Sequence, residues 1–151
     1  RFQEVNIRQV VSDIKSSGIN VLGNYIFGFP NDDFKSMTET LDLALELQCE
    51  HSNFYSAQAL PGSPLYLLAK EKKWEIPTKY EEFAFLSYEC KPLRTNHISA
   101  KEVLDFRDNA WKKYFSNPNY LNLINDKFGS RAKNNIVDLT KIKLKRKILG
   151  H

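Results

Sequence analysis

The chain has 151 residues, 42% of them hydrophobic and 13% aromatic, enough for one domain with a core and too apolar for a disordered segment. Its net charge of +4 is uneven: from Arg131 onward seven Lys or Arg stand against Asp138, and the rest carries 15 bases and 17 acids, so only the tail is basic. No apolar run approaches the roughly 20 residues of a membrane span, and the first residues lack a signal-peptide pattern.

In chain order, Ile7, Val10, Val11 and Ile14 repeat at helical spacing, with Gly18 placed to end that helix. Residues 19–27 are rich in β-branched and aromatic side chains and predict a strand. After Gly28-Phe29-Pro30, Phe34, Met37, Leu41, Ala44 and Leu45 mark a second helix, capped by Asp33 or by Ser36 with Glu39. A second strand is expected over 53–60, then Ser63 and Pro64 open a helix running to about Lys73. The stretch YEEFAFLSYECKPL fits either a short strand or irregular packing. Ser99 with Glu102 forms a capping box for a long helix striped by Val103, Phe106, Ala110 and Tyr114. Asn117-Pro118-Asn119 breaks it, and a short helix over 120–128 is expected to end at Gly129.

Helices alternating with strands through short connections predict an α/β fold with a parallel sheet. Two parallel strands alone make a poor sheet, because such sheets want both faces covered and both edges paired. The chain therefore reads as a piece of a longer protein whose other strands precede Arg1. Cys49 and Cys90 are far apart and form neither a Cys-x-x-Cys pair nor a disulfide framework, so both are expected to be buried thiols in a reducing cytoplasm. His51, His97 and His151 show no metal-ligand spacing.

Ligands in parallel α/β architectures meet the carboxyl ends of the strands. Both strands end in Gly/Pro turns that lead into helix N-termini, Gly28-Phe29-Pro30-Asn31-Asp32 and Pro61-Gly62-Ser63-Pro64. Such turns either simply end strands or let a ligand approach the backbone. Alternation puts Asn24 and Ile26 on one face of the first strand, and Phe54, Ser56, Gln58 and Leu60 on one face of the second. Asn24, Ser56 and Gln58 are then polar groups in strands expected to be buried, needing partners in the core or in a lumen.

The segments SGINVLGNYIFGFPNDDFKSMTETLDLALEL and NFYSAQALPGSPLYLLAKEKKW resemble the later part of a radical S-adenosylmethionine enzyme barrel, best over residues 5–75. The resemblance implies the C-terminal part of a partial (β/α) barrel over 1–75, an aromatic-rich and helical extension over 76–130, and a basic tail over 131–151. In that family an Ile before a glycine on this strand packs against the adenine of S-adenosylmethionine. Here these are Ile26 and Gly28, with Asn24 where a glycine is usual and Asp32 as the nearby acid, one place late. Backbone after the next strand, at Gln58, Ala59 and Leu60, would complete the adenine wall. The family's four-iron four-sulfur cluster is held by three closely spaced cysteines, which this chain lacks, so the remainder of the parent would bind it. The parent would then generate a 5′-deoxyadenosyl radical that abstracts hydrogen from an unassigned substrate, small or macromolecular, and this piece alone would be inactive. The closing KIKLKRKILGH resembles members that carry an N-terminal cobalamin-binding domain, implying cobalamin as a further cofactor. Two alternatives stand beside this reading: a module that binds nucleic acid or an acidic partner through the tail, and a nucleotide-binding α/β domain without radical chemistry.

Overall fold

The computed structural model describes residues 5–151; residues 1–4, where the expected barrel portion begins, lie outside the described residues. Helix α1 (Ile7–Ser16) is capped by Asn6, whose side chain accepts from the Gln9 amide, and it buries Val11. Strand β1 (Leu22–Phe27) follows, then α2 (Phe34–Leu47), β2 (His51–Ser56) and α3 (Pro64–Glu71). The two strands are parallel neighbours in register Leu22 to His51 through Phe27 to Ser56. Among the described residues they form the whole sheet, so the structure is mixed α/β with a two-stranded parallel sheet.

The local signals act as read. Asp33 caps α2 in a reciprocal box with Ser36, and Ser63 caps α3 with Pro64 at its first position. Ser99 and Glu102 cap α4 (Ala100–Phe115). Both cysteines are free and buried. No helix among the described residues is long and apolar enough to cross a membrane.

One face of the sheet is covered. Tyr25 and Phe27 of β1 and Phe54 of β2 pack beneath Met37, Leu41 and Ala44 of α2 and Val103, Ala110 and Tyr114 of α4. The Phe54 ring lies 5.2 Å from both Tyr25 and Tyr114, and this aromatic stack is the centre of the core.

The two edges differ. His51 N donates to Val21 O and Ala57 N to Phe27 O, so odd-numbered residues of both strands face each other and even-numbered ones point to the edges. On the β2 edge, Arg107 of α4, itself 7% exposed, donates through Nε to Phe54 O at 2.7 Å. No comparable side-chain bond reaches Leu22, Asn24 or Ile26 backbone on the β1 edge among the described residues.

The expected bounds of both strands are corrected. Strand β1 starts at Leu22 rather than Ile19, and β2 spans His51–Ser56 rather than 53–60. The early end of β2 has a partner far along the chain: Leu93 N donates to Ala57 O at 2.8 Å, just past Ser56. The helical run that opens at Pro118 breaks at Gly129 as expected, because φ 83° and ψ 170° there are not helical. A second helical run follows the break, so α5 (Pro118–Lys141) is two helices joined across a kink and its second part occupies the stretch expected to be tail. Residues 84–98 take no strand, and Tyr80–Phe83 forms one turn of 3₁₀ helix.

The tail is docked rather than free. Arg146 is fully buried and donates to both Asp108 carboxylate oxygens, at 2.9 and 3.0 Å, and to the carbonyls of Phe85 and Ser87. Lys147 pairs with Glu89, and the Tyr88 hydroxyl donates to His151 O.

Candidate functional site

The first turn is closed by Asp32. Its Oδ2 accepts from the amides of Gly28 and Phe29 at 3.0 and 2.9 Å, and its Oδ1 accepts from the Ser36 hydroxyl. A carboxylate with three donors on it is already satisfied, so Asp32 holds the turn's shape. Gly28 has φ +86°, and a Cβ there would stand 2.5 Å from Val103 Cγ1. The glycine therefore serves a left-handed backbone and a close helix α4 contact on the covered side. Asn31 accepts from the Asn96 side chain at 3.1 Å, and Asn96 N donates to Pro30 O.

The second turn adjoins the first. Gln58 and Ala59 are buried just past β2, and Leu60 is 51% exposed at the rim. Ala59 packs with Ala69 of α3 and with Leu93. The Gln58 side chain donates to Cys90 Sγ at 3.7 Å, while its Oε1 has no partner. Burial pushes the Cys90 thiol up, so it stays protonated at neutral pH. The segment from Leu93 to Asn96 bridges both turns, bonded to Ala57 at one end and Pro30 at the other.

The second face of the sheet is open. Leu22, Asn24 and Ile26 of β1 stand opposite His51, Asn53 and Tyr55 of β2. Asn53 donates to Asn24 Oδ1 at 3.0 Å, so Asn24 is not a buried polar group but half of an exposed cross-strand amide pair. Ile26 is 41% exposed beside Tyr55, whose ring lies 4.9 Å from Phe85. The open face thus carries Asn53 and Tyr55, and Ser56 points to the covered side, where it is buried.

Of the expected cofactor residues, Asn24 and Ile26 share the open face and Leu60 stands at the rim. Gly28 and Asp32 shape the first turn. Gln58 and Ala59 are buried just past β2. Sequence reasoning missed Tyr55 and Asn53. The parallel pairing of Asn24 with Asn53 and Ile26 with Tyr55 was the available signal, concealed by not knowing the register.

Among the described residues no three His, Cys, Asp or Glu are grouped to hold a metal. The residues present do not fit an iron–sulfur cluster: the Cys49 and Cys90 thiols are both buried, and Cys49 lies in the core beside Tyr25. The open face offers Ile26 and Tyr55 as apolar surface against which a flat heteroaromatic ring can lie.

No family model matches the chain, and neither does any solved structure. An uncharacterized methyltransferase of Pyrococcus horikoshii is 20% identical over 111 residues, covering 74% of this chain. The chain spans about a quarter of that relative's length, 24%. The likeness is distant.

Proposed function

We propose that this chain is the C-terminal part of a partial (β/α) barrel in a radical S-adenosylmethionine enzyme, and that Ile26 with the adjoining turns forms the adenine wall. The observation that carries the reading is the sheet itself. Two parallel strands end side by side in Gly/Pro turns, one face is covered by helices and the other is open, and among the described residues no side chain bonds the β1 edge while Arg107 seals the β2 edge. A barrel that closes onto β1 and finishes at β2 accounts for all of this. The distant methyltransferase adds support for S-adenosylmethionine as the ligand and for methyl transfer as the reaction of the whole protein.

In this reading Ile26 and Tyr55 pack against the adenine, and backbone at Gln58, Ala59 and Leu60 supplies its polar contacts. S-adenosylmethionine would supply the transferable methyl or the deoxyadenosyl group. The iron–sulfur cluster would be held by residues outside this chain. A cobalamin-binding domain belongs to the same proposal and is carried only by the likeness of the tail.

The test uses the longer protein that contains the cluster cysteines. Ile26→Asp removes an apolar contact worth about 1.5–3 kcal/mol when buried, so S-adenosylmethionine affinity by calorimetry should fall on the order of tenfold to a hundredfold, with iron content unchanged. Unaltered affinity would remove Ile26 from the wall.

A further inference from the structure

The bridge between the two strand ends carries a charge that nothing in the adenine wall uses. Arg94 lies one residue after Leu93, which bonds to Ala57 beyond β2, and two before Asn96, which bonds to Pro30 beyond β1. It is therefore fixed where both strands finish. Its guanidinium lies 5.9 Å from the centre of the Trp74 ring, and Lys72 Nζ lies 5.2 Å from the same centre. Lys72 also donates to Asn96 Oδ1 at 2.7 Å, which ties α3 to the bridge.

Neither cation has an acid against it. The protein partner of Arg94 is a carbonyl, Thr95 O, and among the described residues neither Arg94 nor Lys72 takes part in an ion pair, while nearby Glu75 is taken by Lys91. Lys70 lies over Tyr66 at 4.8 Å and is likewise without an ion pair among the described residues. Two cations held on one indole repel each other, and exposed aromatic contact offsets only a part of that. A dianion is drawn by both charges, the Arg94 fork offering parallel donors to two oxygens and Lys72 a point charge. A monoanionic carboxylate would neutralise one of the two.

We propose that Arg94 and Lys72, seated on Trp74 at the carboxyl ends of both strands, bind the phosphate of a phosphorylated substrate. The proposal rests on the preceding reading for calling that ligand the substrate. The binding itself requires no S-adenosylmethionine and is tested without it.

The chain contains two tryptophans, so the Trp74 indole N–H resonance is identified by its loss in Trp74→Phe. Titration with inorganic phosphate, at ionic strength held constant with sodium chloride, should shift that resonance saturably. Lys72→Gln combined with Arg94→Gln should weaken the binding about tenfold or more. Lys143→Gln with Lys145→Gln, the same charge change on the tail, should leave it unaltered. Arg94→Gln alone provides a milder variant should the double one lose its dispersed spectrum.

Ribose 5-phosphate and a 5′-phosphorylated oligonucleotide then separate the two sources of such a group. Tighter binding of the first assigns a small substrate, and tighter binding of the second a nucleic-acid end. No saturable shift, a shift that survives the double substitution, or an equal loss in the tail variant would each overturn the site. Ile26→Asp should leave phosphate binding intact, so failure of the adenine wall and failure of the phosphate site are distinguishable.

Discussion

At Gly28 two demands meet in one residue. The left-handed backbone excludes most side chains, and Val103 Cγ1 occupies the space a Cβ would need, at 2.5 Å. Backbone strain and overpacking together place the cost of Gly28→Ala at about 2–4 kcal/mol, read as a lowered urea midpoint. Val103→Ala in the same chain should return a part of it. Glu50, fully buried at the start of β2, carries a different burden. Burial pushes its carboxyl up, but the Lys127 ammonium and the Val21 amide, at 2.9 Å, outweigh that and hold it below the usual range. A carboxyl held low in the folded state stabilises above its unfolded pKa, and that contribution fades as pH falls through the folded value. Glu50→Gln should therefore lower stability at pH 7, and its difference from the parent chain should shrink on acidification, as followed by urea unfolding at several pH values.

Helix α4 does more than cover the sheet: it seals one edge through Arg107, fills the space behind Gly28, and receives the tail on Asp108. Its start depends on Ser99, whose hydroxyl accepts from Glu102 N while the Glu102 carboxylate accepts from Ser99 N. Ser99→Ala should cost about 1 kcal/mol in thermal or denaturant unfolding. This capping box was readable from four residues, as were the caps at Asp33 and Ser63, because both partners lie within one turn. The end of β2 was not readable in the same way. Nothing near Ser56 stops a strand; Leu93, far along the chain, takes the Ala57 carbonyl. The aromatic segment defied assignment for a related reason, since its order comes from Arg146 holding the carbonyls of Phe85 and Ser87. The open face was half legible: Ile26 shares it with Asn24, as alternation paired them, while Tyr55 required the strand register.

For the molecule as a whole, Arg146 is the latch. KIKLKRK gives no sign of which cation turns inward. Removing one partner of a buried ion pair leaves the other without compensation, so Arg146→Met should lower stability by about 3–5 kcal/mol, and Lys143→Met by no more than about 0.5. The bare side of β1 has a consequence of its own. Amides at Leu22, Asn24 and Ile26 point away from β2, whereas those at Gly23, Tyr25 and Phe27 point towards it. Deuterium uptake along this strand should accordingly run fast, slow, fast, slow, a comb with a two-residue period. In a parent that lays another strand alongside, the fast teeth of that comb would fall silent, and the isotope would mark the line where that strand is joined.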